Sequence, residues 1–204
     1  MVITVFGLGF VGLTTALGFA EYGHTVYGVE MDMERLDTIR AGHLPFLERG
    51  LDKALERHLN HHFHPIAPDG LGAAISQSDC IYYCVGTPYG KDGQADLTYL
   101  FNAIDETIDL IRDDRFRVLV VKSTIPPSTT ENRIVPHIRQ RGIFVGEQKG
   151  YDPASGKIHL GIANNPEFLR EGHCWDDFMN ADRIVLGISD KESERRLREV
   201  YAST

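Results

Sequence analysis

Apolar and polar positions along the chain alternate between two periods. Met1-Val2-Ile3-Thr4-Val5-Phe6 is a short apolar run of strand length, and Gly7-Leu8-Gly9-Phe10-Val11-Gly12 follows without a spacer. Leu13 to Tyr22 is an apolar, Ala-containing stretch of helical character. It ends at Gly23-His24 and gives way to a second strand, Thr25 to Val29, closed by Glu30. Met33, Leu36 and Ile39 recur at helical spacing behind Asp32, a plausible N-cap. Pro45 to Leu51 is an apolar but broken piece leading into a polar helix that runs to about Leu59. A short strand is expected over 61–66, a short helix over 71–77 and a buried strand over 79–85. Tyr89 to Ala95 reads as a loop. Asp96 then caps a long helix whose Leu97, Leu100, Ile104, Ile108 and Ile111 form one apolar stripe for the core.

The second half repeats the rhythm. Arg117 to Val121 is the clearest buried parallel strand. Ser128-Thr129-Thr130-Glu131 has the form of a capping box opening a helix to about Arg141. Phe144-Val145 and His159 to Ala163 flank a polar stretch, Gly146 to Lys157, expected as an exposed hairpin or loop insertion. Ile184 to Ile188 is the last strand and Lys191 to Tyr201 a charged helix. Strands alternating with helices predict a doubly wound α/β fold with a mainly parallel sheet, a Rossmann-type domain over residues 1–204 without repeats or low-complexity linkers.

Composition narrows this little. With 204 residues the chain can build a proper core, and its charged and apolar content is ordinary for a soluble globular protein. A formal net charge of -8, with no basic stripe, argues against a nucleic-acid partner. No apolar run approaches a membrane span. Met1 leads straight into a core strand, which predicts a cytoplasmic protein without a signal peptide. Cys80 and Cys84 bracket a strand-like run, on one face but too far apart for a disulfide, and read as buried reduced thiols; Cys174 has no obvious basic partner in sequence and is not nominated as a nucleophile. His58, His61, His62 and His64 span a helix end and a strand with no acid or cysteine among them, so they read as a solvated turn, and no metal is expected.

The chemistry starts at the glycines. A glycine triplet between a buried strand and a helix, with an acid after the next strand, is the dinucleotide-binding unit. Gly7 allows the tight turn, Gly9 lets the backbone approach a pyrophosphate and Gly12 lets helix and sheet pack closely. The free N–H groups at the helix start then face the phosphates. Glu30 would accept hydrogen bonds from the adenosine ribose and repel a 2′-phosphate, which favours NAD over NADP, although nearby Arg35 could accommodate such a phosphate. A glycine-rich turn in a mononucleotide-binding or ligand-free doubly wound domain is the bland alternative. Two more loops, Gly86-Thr87-Pro88 and Lys122-Ser123-Thr124-Ile125-Pro126, leave strands at the same sheet edge. A fourth segment, Asn164 to Gly172, carries Glu167 and Glu171. On a helix these acids would share one face, either organising a water or binding ligand hydroxyls, or simply standing as solvated acids near a helix start.

Gly7 to Gly12, Pro45 to Leu51, Val85 to Pro88, Lys122 to Pro126 and Asn165 to Gly172 occur in one order over nearly the whole chain. In these pieces the chain resembles the NAD-binding domain of the UDP-glucose/GDP-mannose dehydrogenase family. The resemblance implies a nucleotide-sugar 6-dehydrogenase, in which a UDP- or GDP-sugar's primary alcohol becomes a carboxylate with two NAD reduced per turnover. By position, Gly7, Gly9, Phe10, Val11 and Gly12 match the cofactor loop. Glu30 and Arg35 match the adenosine-ribose contacts, and Thr87 and Thr124 the groups lining the cofactor. Glu171 matches a cofactor-side glutamate near the nicotinamide. Glu167 matches the glutamate that handles water and proton transfers with Thr124. Phe168, Leu169 and Arg170, with Glu167, match the segment that touches the sugar nucleotide.

Departures accompany the matches: Glu30 where Asp is frequent, Arg49 where Pro is common, Ala181 where Pro is usual before Asp182-Arg183, and a long 146–157 stretch. In the family a central helix carries a catalytic lysine and asparagine and supports dimerisation. A later domain carries the cysteine that forms the thiohemiacetal and thioester. Thr204 falls about where that helix would begin, and none of the three cysteines matches the missing one. The expectation is therefore a chain that binds NAD and does not turn over alone, with a homodimer only where the C-terminal half is present. A stand-alone NAD-binding module with a regulatory or scaffolding role is the alternative. A different dehydrogenase of the 3-hydroxyacid type is a third reading, against which the Glu167–Glu171 segment speaks.

Overall fold

The computed structural model describes residues 1–90, 93–146 and 157–202. Its sheet is built from β1 (Val2–Phe6), β2 (Thr25–Val29), β3 (Phe63–Ile66), β4 (Cys80–Tyr83), β5 (Arg117–Val121), β6 (Phe144–Val145), β7 (His159–Asn164) and β8 (Gly187–Ile188). The order is β3-β2-β1-β4-β5-β7-β6, with β8 pairing β7. Every pairing is parallel except β7 with β8. Strand order reverses between β1 and β4, so a crevice opens there at the carboxyl ends of the strands.

Helices cover both faces. Among them are α1 (Phe10–Glu21), α2 (Met33–Arg40), α3 (Leu51–His58), α4 (Leu71–Gln77), α5 (Thr98–Leu110), α6 (Val135–Gln140), α7 (Cys174–Met179) and α8 (Lys191–Val200). Strand alternation divides the core. Ile3, Val5, Val118 and Val120 join Leu13, Leu17 and Phe19 of α1 and Leu197 and Val200 of α8 on one face. Phe6, Ile81, Leu119 and Val121 join Ile75 of α4, Leu100 and Ile104 of α5 and Ile138 of α6 on the other. Burial on both faces explains why the parallel strands read as continuous apolar runs. Pro65, which has no N–H to give a ladder, lies on β3 at the sheet edge.

Several local expectations change. Helix α1 begins at Phe10 rather than Leu13, because Gly9 is its extended N-cap and Leu13 N–H already closes on the Gly9 carbonyl at 2.9 Å. The capping box at Ser128 does not form. Ser128 adopts φ 64° and Thr130 Oγ1 donates to Asn164 Oδ1 at 2.8 Å. A π-turn over Thr130–Ile134 precedes α6, and Pro136 supplies its cause, since it has no N–H for the Asn132 carbonyl. The strand expected over 184–188 is reduced to β8, because the Val185 carbonyl is taken by Asn165 Nδ2 at 3.0 Å. The 146–157 stretch, expected as a hairpin or loop insertion, lies largely outside the described residues; β6 and β7 on either side of it are parallel neighbours. Among the described residues no helix is long and apolar enough to cross a membrane. His58 contacts Glu21 at 2.7 Å, whereas the His64 ring lies tilted against Tyr27 with ring centroids 5.5 Å apart.

His24 joins α8 to the core. It is buried, and its Nε2–H donates to the Val200 carbonyl at 2.8 Å. Burial lowers its proton affinity below the ordinary histidine value, the Val200 bond partly opposing. A base with a lowered folded pKa binds more protons when unfolded. Its stabilisation is complete above the unfolded value near 6.5 and fades as pH falls through that value towards the folded one. Urea midpoints at pH values from 8 to 5 should therefore fall more steeply for the wild type than for His24→Gln. Parallel curves would exclude His24 as the cause.

Candidate active-site cleft

The glycine loop is shaped by its own packing. Gly7 has φ +83°, open to glycine and strained for other residues, and a Cβ there would lie 3.0 Å from the Cys84 carbonyl oxygen. A Cβ on Gly12 would lie 1.8 Å from the Gly7 carbonyl oxygen, so α1 rests directly on the turn. Gly9 differs. Its φ is −71°, and a Cβ there would meet nothing within 4 Å. The protein itself does not need a glycine at this position, so close approach of a ligand is the reason that remains. The first-turn N–H groups at Phe10, Val11 and Gly12 have no intrahelical acceptor by helix geometry and suit an anion.

Around this loop runs a cleft of about 900 Å³ lined by Gly7, Gly9, Phe10 and Val11, by Glu30 and Arg35 after β2, and by Cys84 to Thr87 after β4. Lys122, Ser123 and Thr124 after β5, and Glu167 after β7, complete its far side. The strand-end loops are tied together: Ser123 Oγ donates to the Val85 carbonyl at 2.6 Å, and Thr87 Oγ1 to the Thr124 carbonyl at 2.8 Å.

Glu30 is 5% exposed and its carboxylate is saturated. Oε2 accepts from Leu8 N–H at 2.9 Å and Arg35 Nη1 at 3.2 Å; Oε1 accepts from Met31 N–H at 2.9 Å and Asp32 N–H at 3.0 Å. The acid that ends β2 thus also braces the glycine loop. Of its four donors, only Arg35 belongs to a partly exposed side chain free to swing aside for a ligand hydroxyl.

The segment after β7 departs from expectation. Residues 165–170 are not helical and α7 begins only at Cys174, so Glu167 and Glu171 do not share a helical face. Pro166 explains this locally: it biases Asn165 away from helical backbone. Glu167 enters the cleft, its Oε2 accepting from Leu169 N–H at 2.6 Å. Glu171 is exposed and lies outside the cleft lining. Phe168 is half exposed with the Arg183 guanidinium 4.9 Å from its ring centroid, and Leu169 packs on the core. Arg170 forks onto Asp177 at 2.6 and 3.1 Å and, with its own backbone N–H, holds that carboxyl down to about 2. The 45–51 piece closes the other side. Phe46 packs its ring 5.5 Å from that of Phe10, and Glu48 Oε2 accepts from Gly172 N–H at 3.0 Å.

Sequence reasoning missed part of the lining. Tyr99, Asn102 and Glu106 of α5 face the cleft at helical spacing, beside the apolar stripe; that second, polar stripe was the signal available. Lys122 was visible only as the start of a motif. Burial lowers its proton affinity, with Cys84 and Glu167 acting in the opposite sense. Burial also pushes the Cys80, Cys84 and Cys174 thiols each up to about 12.

A family model described as the UDP-glucose/GDP-mannose dehydrogenase family, NAD binding domain, matches residues 1–204. The chain belongs to this family. NAD is its cofactor, and the cleft at the switch point fits one. A UDP-glucose 6-dehydrogenase of Rickettsia conorii is 35% identical over 202 residues, covering 99% of this chain and 42% of that protein. The crystal structure of a ternary complex of GDP-mannose dehydrogenase from Pseudomonas aeruginosa superposes with a TM-score of 0.87 at 32% identity, covering 99% of this chain and 44% of that one. A UDP-glucose dehydrogenase from Pyrobaculum islandicum gives 0.85 at 35% identity, covering 98% and 43%. The chain thus spans less than half the length of these relatives.

Proposed function

We propose that this chain is the NAD-binding part of a nucleotide-sugar 6-dehydrogenase acting in the cytoplasm, where three reduced thiols are at home. The observation that carries the reading is the convergence of Thr124 and Glu167 on the cleft formed by the glycine loop. When bound, NAD would supply the acceptor for a hydride, two electrons and one proton, from the sugar's alcohol carbon, the hydroxyl proton leaving to a base. Gly7, Gly9, Phe10, Val11 and Gly12 hold the pyrophosphate through backbone N–H groups and close approach. Glu30 and Arg35 take the adenosine ribose, and Thr87 and Thr124 line the nicotinamide side. Glu167, on the same wall as Thr124, positions a water or carries a proton. Phe168, Leu169 and Arg170 meet the sugar nucleotide from the rim, where Phe168 offers an exposed ring. Glu171's place beside the nicotinamide rests on the resemblance alone.

A second oxidation, from aldehyde to carboxylate, needs a nucleophile that converts the aldehyde into a hydride donor. Cys84 reaches the cleft, but its thiol is pushed up to about 12 by burial and offers little thiolate at neutral pH. The 204 residues should therefore bind NAD without carrying a sugar alcohol through to the carboxylate. Fluorescence titration should show tighter binding of NAD than of NADP, and mixing with UDP-glucose or GDP-mannose should give no sugar carboxylate. Tighter NADP binding would overturn the role of Glu30, and carboxylate formation would overturn the need for a further nucleophile.

A further inference from the structure

One cation on the cleft has no task in the reading above. Lys122 directly follows β5 and is 5% exposed. Its Nζ donates to Asn165 Oδ1 at 3.1 Å, and the same oxygen accepts from the Tyr201 hydroxyl at 2.6 Å. Asn165 Nδ2 donates to the Val185 carbonyl at 3.0 Å, which orients the amide. Lys122 is therefore held in place by a neutral amide rather than by a carboxylate partner, and that amide is anchored at the end of α8 and before β8. The ionisable groups that act on it are Cys84 and Glu167, both on the same cleft. A buried ammonium in such a setting is costly, and its field reaches into the cleft with little screening.

Topology decides what that field acts on. With the pyrophosphate on the α1 start and the adenosine turned towards β2 and Glu30, a nicotinamide would extend past the switch point towards the ends of β4 and β5. Lys122 sits there. The oxidised nicotinamide ring carries a positive charge and the reduced ring is neutral, all other cofactor charges being the same in both forms. We propose that Lys122 sets the redox poise of the bound cofactor, its ammonium favouring the neutral reduced ring over the cationic oxidised ring. The inference rests on the NAD-site reading given above. It makes bound NAD a stronger oxidant, with Glu167 tempering the effect. Both electrons and the accompanying proton still come from the alcohol carbon, so Lys122 changes the balance of the step and not its stoichiometry.

The test is the ratio of dissociation constants, NAD over NADH, measured by fluorescence titration at neutral pH for the wild type, Lys122→Met, Lys122→Arg and Asn165→Asp. One unit charge at roughly 10 Å, across an effective dielectric of roughly 20 to 40, changes such a ratio about four- to fifteenfold. Lys122→Met should lower the ratio by that factor and Lys122→Arg should leave it within about twofold of the wild type. Asn165→Asp is isosteric and sets a carboxylate against the ammonium, so it should lower the ratio in the same direction even if Lys122→Met fails to fold. An unchanged ratio in Asn165→Asp, or in a folded Lys122→Met, would overturn the proposal. A wild-type chain that binds neither form would instead refute the NAD site on which it rests.

Discussion

Gly12→Ala should destabilise the protein by about 3 kcal/mol and abolish measurable NAD binding. The added Cβ would sit 1.8 Å from the Gly7 carbonyl oxygen, 2.9 Å from its carbon and 3.1 Å from Cys84 Cβ. Two of these are backbone atoms of a turn already held at φ +83°, so relief requires α1 to lift from the sheet. That motion carries away the N–H groups of its first turn. Gly9→Ala is the informative companion. It meets nothing within 4 Å and adopts an ordinary φ, so stability should stay within about 0.5 kcal/mol. NAD affinity should still fall about tenfold or more, because the new methyl points into the space that the pyrophosphate needs. Denaturant melts and NAD titrations on both variants separate the two effects. A Gly9→Ala chain that binds NAD normally would refute close approach as the reason for that glycine.

Arg117→Met is expected to cost about 3–5 kcal/mol of stability in urea. The side chain is fully buried at the start of β5. Its Nη1 and Nη2 grip Asp113 at 2.6 and 3.0 Å, while Nε, Nη2 and Nη1 donate to the carbonyls of Ile75, Ser76 and Arg115 at 3.1, 3.2 and 3.0 Å. All five N–H groups are used, and the arginine pins the end of α4 to the strand that delivers Lys122 to Thr124. The same contact lowers the Asp113 carboxyl below its ordinary range. Methionine fills the volume but removes all five of these hydrogen bonds, the fork onto Asp113 included, from the start of β5. Because Arg117 lies at the strand end remote from the cleft, NAD affinity of the folded variant should remain within about twofold of wild type. A loss of affinity matching the loss of stability would show instead that the two strand ends are coupled.

Much of this architecture could be read before any coordinates. The runs at Val2–Phe6 and Arg117–Val121 and the stripe from Leu97 to Ile111 name their elements, because burial on one stripe or on both sheet faces leaves a periodic mark on the chain. The glycine spacing marks the turn for a similarly local reason: φ and close packing are properties of single positions. The misreadings at Ser128 and at Ile184–Leu186 share a cause. In each, a side chain or carbonyl takes a partner distant in sequence, Thr130 with Asn164 and Val185 with Asn165, whereas at Glu167–Glu171 the local effect of Pro166 outweighs the helical spacing.

By itself, then, the sequence determined the doubly wound class, the nucleotide loop and the family, all of which rest on short local patterns and on their order along the chain. Tertiary structure decided which groups share the cleft. It brought Tyr99, Asn102 and Glu106 to the lining, kept Glu171 off it, and saturated Glu30 with four donors. It also buried Lys122 against an amide 43 residues away. Such placements depend on strand order and on long-range hydrogen bonds, and neither leaves a periodic trace in the chain.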